Sequence, residues 1–307
     1  MRKLCLEKVY EFAKNDERIF FMGSDLGFGT LNQFKEEIPG RFLMEGVNEA
    51  NIIGIAAGLA LEGRIVYVNT IATFITRRCF EQVVLDLGLH NVNVRLIGNG
   101  GGVVYAPLGP THLAIDDIAI LRAIPNMTIV APADEAEMGR LMPLTVEHPG
   151  PMYIRLGKGN EPILTTDDIP FAIGKVFPMR EGSDALIITT GVTLKASLDA
   201  ADTLKQQGIS TAVLHVPTVK PLDTTALLEH MASVPVVVTI EEHTLMGGLG
   251  SAVAEIVAEA NFNPSKRFKR IGIPDVFPDK YGAQLDVMAR YGISAEKLVA
   301  VVEVLSQ

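Results

Sequence analysis

The chain has 307 residues, 48% of them hydrophobic, and a formal net charge of −9. This length favours two domains, and an acidic balance without a basic run argues against nucleic acid as a partner. The two cysteines, Cys5 and Cys79, are too few for a disulfide framework and have no metal-binding or CxxC spacing, which favours a reduced, cytoplasmic setting. Residues 1–21 are charged throughout, unlike a signal peptide, and no apolar run reaches the length of a membrane span.

Short β-rich runs alternate with helical patterns along the first half of the chain. This alternation predicts a mostly parallel sheet with helices on both faces. The predicted strands are 18–23, 64–70, 92–99, 127–132 and 152–156. The predicted helices are 2–14, 48–62, 75–90, 113–123 and 134–147.

A segment richer in Gly, Pro and Asp then breaks the rhythm, and we predict a linker at 161–180 between domains at 1–160 and 181–307. The second domain repeats the α/β alternation, so the predicted fold class is α/β with two doubly wound, mostly parallel sheets. Its predicted strands are 185–190, 211–216, 234–241 and 267–272. Its predicted helices are 193–208, 222–232, 248–260, 281–291 and 295–306.

Glu49 is the only charged residue in the small and apolar run GVNEANIIGIAAGLAL, residues 46–61. Burial in such surroundings raises the pKa of a carboxyl group and favours the neutral acid, which can share a proton with a ring nitrogen. A simpler interpretation is that Glu49 lies in the first turn of a helix, where the macrodipole favours negative charge. The residues of this run leave both interpretations open.

Several blocks resemble the C-terminal half of transketolases, or of the related deoxyxylulose-phosphate synthase, in order and spacing. They are GVNEANIIGIAAGLA (46–60), ATFITRRCFEQV (72–83), GPTHLAIDDIAILRAIPNMTIVAPAD (109–134), YIRL (153–156), EEHTLMGGLGSAVAE (241–255) and GIPDVFPDKYG (272–282). A complete transketolase also has an N-terminal half, so the chain looks like the separate second subunit of a split enzyme. The resemblance implies a pyrimidine-binding domain at 1–160 and a transketolase C-terminal domain at 181–307.

The resemblance implies thiamine diphosphate as cofactor, shared with a partner subunit. The family holds Mg²⁺ and the diphosphate with a GDG motif, followed later by Asn, on the N-terminal half, and no GDG occurs in this sequence. The metal ligands are therefore expected on the partner, with none on this chain. We expect an α₂β₂ assembly, inactivity of this chain alone, and neither nucleic acid nor membrane as a partner.

Four residues are carried over to the cofactor. Glu49 matches the glutamate that exchanges a proton with the aminopyrimidine, as the cofactor requires before it can react. Phe74 would stack on the aminopyrimidine ring, and Phe80 would complete that apolar wall. Asp25, in GSDL, matches an aspartate near the cofactor, although it could instead cap a turn after the first strand.

Three residues are carried over to the substrate. His112, in GPTH, matches a histidine that faces the reacting carbons, where it could polarise a carbonyl or move a proton near neutral pH. Arg155, in YIRL, matches an arginine that binds the sugar phosphate. Arg2 matches a second phosphate-binding arginine, although an arginine so near the N-terminus could simply be solvated.

The sequence departs from the family pattern at four positions near the substrate. Gly29 stands in place of a phosphate-binding Ser, and Gly100 in place of a phosphate-binding His. Leu108 replaces an Asp that hydrogen-bonds a sugar hydroxyl, and Pro107 replaces the acidic neighbour of that Asp. Such polar contacts decide which substrates are rejected, so a modified or deoxy sugar, or one with a different anionic tail, is expected.

Three functions remain open from the sequence. The first is a transketolase subunit that moves a two-carbon ketol unit from a ketose, phosphorylated or otherwise anionic, to an aldose. The second keeps the cofactor but changes the reaction, as in the E1 β subunit of a 2-oxoacid dehydrogenase or a deoxyxylulose-phosphate-synthase-like half. The third is a scaffolding paralogue without turnover, which the presence of Glu49 and His112 argues against.

Overall fold

The computed structural model describes residues 1–23, 31–167 and 170–307. They form two α/β units, each built on one mostly parallel sheet, which confirms the predicted fold class. The central strands are rich in Ile and Val because β-branched side chains suit strands that are covered on both faces. None of the helices formed by the described residues is both long and apolar enough to cross a membrane.

Seven strands build the first sheet. They are β1 (Ile19–Gly23), β2 (Phe42–Met44), β3 (Ile65–Ile71), β4 (Val94–Asn99), β5 (Thr128–Val130), β6 (Met152–Arg155) and β10 (Thr218–Lys220). Their order is β10-β5-β6-β4-β3-β1-β2, and every pair is parallel except β10 with β5. All residues of β3 and β4 are buried, as expected for central strands between two helical layers.

The described part of this unit also contains helices on both sides of the sheet. They are α1 (Arg2–Asn15), α2 (Asn32–Glu37), α3 (Glu49–Leu61), α4 (Phe80–Gln82), α5 (Asp117–Arg122) and α6 (Glu135–Val146). The predicted helix 75–90 is instead interrupted, with π-helical turns at Phe74–Arg78 and Val83–Leu89 on either side of α4. The predicted helix 113–123 shrinks to α5, because a 3₁₀ turn at Pro110–His112 is followed by extended backbone.

The second sheet has five strands. They are β7 (Phe177–Arg180), β8 (Ala185–Thr189), β9 (Thr211–His215), β11 (Val236–Thr244) and β12 (Arg267–Ile273). Their order is β12-β11-β8-β9-β7, with β7 antiparallel to β9 at one edge. The helices of this unit are α7 (Leu194–Gln206), α8 (Thr224–Ala232), α9 (Leu249–Ala260), α10 (Gln284–Arg290) and α11 (Ala295–Ser306).

The two units share contacts along their boundary. Although β10 comes from the second half of the chain, it pairs with β5 of the first sheet, and Nζ of Lys220 donates a hydrogen bond to the carbonyl of Arg122 at 2.9 Å. The buried side chains of His215 and Glu137 also meet across the boundary, at 2.9 Å. Residues of both units can therefore contribute to one site. The domain boundaries at 160 and 181 stay a prediction, and β7 lies inside the predicted linker.

Candidate active site

The candidate site lies where the carboxyl ends of three neighbouring strands meet. Strands β3, β4 and β6 are adjacent and parallel, so the segments that follow them emerge at one edge of the sheet. Open α/β sheets bind ligands at this edge. Phe74 follows β3, a glycine-rich loop at 100–105 follows β4, and Arg155 ends β6.

Glu49 is the first residue of α3, and its carboxylate is almost fully buried, with 3% of the residue exposed. A negative charge is favoured there because the N-terminus of a helix carries a partial positive charge. The carboxylate also has a direct partner, since Nη1 of Arg78 donates a hydrogen bond to Oε2 of Glu49 at 2.7 Å. A buried carboxylate is thus held by a half-exposed cation.

Arg78 also stacks on Phe74. Its guanidinium carbon lies 4.1 Å from the ring centroid. A guanidinium is planar and carries N–H donors around its edge, so it can stack on a ring and bond a carboxylate at the same time. The sequence motifs did not indicate Arg78. Its spacing of four residues from Phe74, on one face of the helical turn that follows β3, is the signal that could have indicated it.

His112 completes this cluster from a different segment. Its ring meets the Phe74 ring edge-on, with centroids 5.2 Å apart and planes at 66°. Its Nδ1 shares a hydrogen bond with the hydroxyl of Thr111 at 2.9 Å. The structure therefore brings together Glu49, Phe74 and His112, which we call the pyrimidine wall after their predicted role.

The other two predicted cofactor residues are placed differently. Phe80 begins α4 and is half-buried against the hydrophobic core of the sheet. That packing contact accounts for its apolar side chain, and its predicted place in the wall stays a prediction. Asp25 lies outside the described residues, as does Gly29.

Arg155 lies in a buried ionic network at the boundary between the units. Its Nε donates to Oδ2 of Asp117 at 2.7 Å, and its Nη2 donates to the backbone carbonyl of Glu242 at 2.9 Å. Burial alone raises the pKa of Asp117, but the Arg155 guanidinium opposes it, and the net pKa lies below the ordinary value. Tyr153 donates a further hydrogen bond to Asp117 at 2.7 Å. The predicted phosphate-binding arginine thus already has anionic and carbonyl partners.

Glu242 anchors the glycine-rich loop to the second unit. The N–H of Val103 donates to Oε1 of Glu242 at 2.8 Å, and Nε2 of Gln284 donates to the same oxygen at 2.9 Å. Burial raises the pKa of Glu242 to about 7. Gly102 has φ +66° and lies so close that a Cβ would overlap the Glu242 carboxyl group, so only glycine fits.

Arg2 is exposed at the start of α1. It lines a cavity of about 280 Å³ whose walls include Gly100, Pro107 and Leu108. Three of the four positions that depart from the family pattern therefore line one cavity. Neither Arg2 nor this cavity takes part in the Arg155 network described above.

The surroundings of Cys79 favour the neutral thiol. Burial raises the pKa of this thiol to about 12, and the nearby carboxylate of Glu49 adds to the effect. The thiol donates to the carbonyl of Ile75 at 3.1 Å. In the three described ranges of the chain, no group of three or more His, Cys, Asp or Glu side chains is arranged to hold a metal ion.

Comparisons with known proteins agree with this architecture. The transketolase pyrimidine-binding domain matches residues 1–162, and the transketolase C-terminal domain matches residues 174–298. A 6-deoxy-6-sulfo-D-fructose transketolase subunit of Clostridium sp. (strain MSTE9) is 35% identical over 300 residues, covering 97% of this chain and 92% of that protein. One of the subunits of an apulose-4-phosphate transketolase of Phocaeicola vulgatus is 36% identical over 297 residues, covering 96% and 94%.

A solved structure extends the likeness to three dimensions. It is described as a split gene transketolase, an inactive β4 tetramer, and it superposes with a TM-score of 0.89 at 32% identity, covering 99% of this chain and 97% of that one. The chain belongs to the transketolase family. Membership implies thiamine diphosphate as the cofactor.

Proposed function

We propose that this chain is the second subunit of a heteromeric transketolase, which transfers a two-carbon ketol unit from a ketose to an aldose. The observation that carries the proposal is the position of Arg78, whose planar guanidinium bonds Glu49 and stacks on Phe74. A flat, nitrogen-bearing ring in the place of the Arg78 guanidinium would contact the Glu49 carboxylate and the Phe74 ring in the same way. The aminopyrimidine of thiamine diphosphate is such a ring, so the residues present fit the cofactor.

Each residue of the pyrimidine wall has a distinct role in this proposal. When bound, thiamine diphosphate supplies the nucleophilic carbon that carries the ketol unit. Glu49 shares a proton with N1′ of the pyrimidine, and Phe74 stacks on the ring and orients it. Arg78 would move away from Glu49 and Phe74 when the cofactor binds. His112 polarises the substrate carbonyl or moves a proton to its oxygen.

A partner subunit supplies the Mg²⁺ and diphosphate contacts, because this sequence contains no GDG motif. Exposed apolar side chains around the site support a covering partner. Val47, two residues before Glu49, is 68% exposed, and Leu108 is 52% exposed. The structural relative is an inactive β4 tetramer of a split gene transketolase, which supports the idea that such chains need a partner for activity. We propose an α₂β₂ assembly.

The donor sugar is proposed to be anionic. One relative is named for a sulfonated ketose and another for a phosphorylated one, so the names of the relatives cover substrates with different anionic groups. We further propose that the complex works in the cytoplasm. Cys5 and Cys79 are both buried and unpaired, which supports a reducing compartment.

The test is co-expression with a polypeptide that carries the GDG motif, followed by assays with thiamine diphosphate, Mg²⁺ and a panel of ketose donors and aldose acceptors. We expect ketol transfer by the complex and none by either chain alone. Turnover by this chain alone would refute the shared site. Decarboxylation of a 2-oxoacid in place of ketol transfer would indicate an E1-type enzyme, and a fully active complex lacking Glu49 would indicate a scaffold.

A further inference from the structure

The second unit reaches the candidate site through the end of one strand. All residues of β11 are buried, and the last of them contact the first unit. The Glu242 carboxylate accepts a hydrogen bond from the N–H of Val103 at 2.8 Å, and the N–H of Thr244 donates to the carbonyl of Ile115 at 2.8 Å. Val103 lies in the glycine-rich loop, and Ile115 lies three residues after His112. One strand end thus holds both the loop and the segment that follows His112.

The loop and the segment after His112 are also joined to each other. The N–H of Gly102 donates to the carbonyl of Ala114 at 2.9 Å, and the N–H of Ala114 donates to the carbonyl of Gly102 at 3.0 Å. Gly102 precedes the residue that Glu242 binds, and Ala114 lies two residues after His112. A shift of the loop would therefore move the backbone beside His112.

The close fit at Gly102 fixes the loop in both directions. Gly102 has φ +66°, and its backbone lies so close to the Glu242 carboxyl group that a Cβ would overlap it. The loop cannot approach Glu242 further, and the hydrogen bond from Val103 keeps it from moving away. The carboxylate therefore determines the position of the loop more narrowly than a hydrogen bond alone would.

Glu242 is itself held from both units. Nε2 of Gln284, on α10, donates to Oε1 of Glu242 at 2.9 Å and to Oε2 at 3.1 Å. Nη2 of Arg155, on β6, donates to the backbone carbonyl of Glu242 at 2.9 Å. Burying a carboxylate is unfavourable, and an apolar residue could pack there without that penalty. Because this carboxylate holds the loop, its burial points to a role in the site.

We propose that Glu242 is a positioning residue for ketol transfer. It holds the glycine-rich loop, and through the pairing of Gly102 with Ala114 it fixes where His112 meets the substrate. The proposal rests on the proposed function and gives the second unit a part in it, since Glu49, Phe74 and His112 all come from the first unit. A displacement of about 1 Å at a group that acts on the substrate can slow a reaction about 100-fold.

The test measures ketol transfer by the reconstituted complex with fructose 6-phosphate and its 6-sulfonate analogue as donors. Glu242→Ala leaves the N–H of Val103 without its partner, so kcat is expected to fall about 10- to 100-fold. Hydrogen–deuterium exchange at C2 of bound thiamine diphosphate, measured without sugar, should not change, because it depends on Glu49. Glu242→Gln keeps an oxygen that accepts from Val103 and should restore kcat to within about threefold of wild type.

Lys220→Met is the matched control. Lys220 also donates a hydrogen bond across the boundary, to the carbonyl of Arg122, but it does not contact the glycine-rich loop. Its kcat and its exchange at C2 should equal those of the wild-type complex. Equal falls in kcat for Lys220→Met and Glu242→Ala would overturn the proposal, because they would show a general loosening of the two units. Exchange at C2 that slows as much as kcat in Glu242→Ala would overturn it too, as would a Glu242→Gln variant no faster than Glu242→Ala.

A milder variant serves if Glu242→Ala does not fold. Gln284→Leu keeps the hydrogen bond between Val103 and Glu242 but removes the partner on the other side of the carboxylate. Its kcat should fall about two- to tenfold, the value of one hydrogen bond, with exchange at C2 unchanged. An unchanged kcat in Gln284→Leu would contradict the positioning role.

A further readout does not depend on turnover. Amide hydrogen exchange of peptides covering 100–115, followed by mass spectrometry in the complex, should be faster in Glu242→Ala than in wild type, Glu242→Gln and Lys220→Met. Unchanged amide exchange in Glu242→Ala would overturn the proposal. If the wild-type complex turned over no ketose, the proposed function would fail, and the amide exchange would still decide whether Glu242 holds the loop.

Discussion

The pyrimidine wall and the cavity beside Arg2 are linked by the turns at Ala106–Leu108 and Pro110–His112, yet they relate to the family differently. Glu49, Phe74 and His112 stand where the transketolase blocks place them, and each already contacts a neighbour in the structure. The wall of the cavity beside Arg2 includes three positions that depart from the family pattern, Gly100, Pro107 and Leu108. Neither Arg2 nor Lys158 in that wall has an ion-pair or side-chain hydrogen-bond partner among the described residues. The comparison separates the residues proposed for reaction chemistry from those proposed for substrate choice.

The largest expected loss of activity comes from changing Glu49 in the pyrimidine wall, a change that leaves the cavity beside Arg2 unaltered. Glu49→Gln keeps the size of the side chain but removes the acid, so kcat of the complex should fall by about 10²–10⁴-fold, the usual contribution of a positioned acid or base. Steady-state assays measure the fall, and size-exclusion chromatography checks that the complex still assembles. Glu62→Gln is the control, since Glu62 is exposed at the other end of α3. Equal kcat values for the two variants would contradict the role of Glu49.

A second change puts a side chain back at position 100, where the Tyr105 ring now fills the space. Gly100→His should lower the free energy of unfolding by about 2–5 kcal/mol, because a non-glycine residue at positive φ costs about 1–2 kcal/mol and overpacking costs about 1–3 kcal/mol. Adding Tyr105→Ala should recover the part due to crowding, since the tyrosine ring fills that space. Denaturant midpoints of the single and double variants measure this coupling. Additive effects would contradict the exchange of Tyr105 for a side chain at position 100.

A third change concerns Glu242 of β11, which holds the glycine-rich loop at 100–105 through the N–H of Val103. The pKa of Glu242 is raised to about 7 from an ordinary value of 4.5, so the folded protein holds this proton more firmly than the unfolded chain. The stability associated with it is complete below about pH 4.5 and is lost as the pH rises through 7, a change of about 3 kcal/mol at most. Glu242→Gln does not titrate, so its Tm relative to wild type should be higher at pH 8 than at pH 5. A constant Tm difference would contradict the raised pKa.

The smallest predicted effect is on cofactor binding and concerns Arg78, which contacts two residues of the pyrimidine wall. Arg78 competes with the pyrimidine for Phe74 and Glu49, so Arg78→Ala should tighten cofactor binding by about two- to fivefold, matching a half-exposed ion pair and cation–π contact of about 1 kcal/mol. Titration calorimetry of thiamine diphosphate into the complex measures it. Arg64→Ala is the control, because Arg64 also lies over a ring, that of Phe20, but at 5.7 Å and away from the site. Weaker binding in Arg78→Ala would show that Arg78 assists the cofactor.

The sequence predicted the central strands and the long helices because strong periodic patterns identify them. It missed β2, β7 and β10, which have three or four residues and are therefore too short to show a period. The pairing of β10 with β5 joins segments almost ninety positions apart, which local patterns do not encode.

The sequence indicated those residues of the candidate site that lie in motifs. It did not indicate the residues that matter only through their tertiary contacts. Glu49, Phe74 and His112 could be predicted because each lies in a recognisable block, and their roles stay predictions. Arg78 and Glu242 were missed because their importance depends on which groups surround them. The burial of Arg155 against Asp117 depends likewise on contacts that only the folded chain creates.

Glu49 is proposed to activate the cofactor through its pyrimidine ring, and hydrogen–deuterium exchange at C2 of bound thiamine diphosphate is the decisive test. The measurement is made by NMR on the reconstituted complex without sugar, so it does not depend on the substrate. We predict fast exchange in the wild-type complex and exchange slower by about 10²–10⁴-fold in Glu49→Gln with cofactor still bound. Exchange that is equally fast in both complexes would contradict the claim.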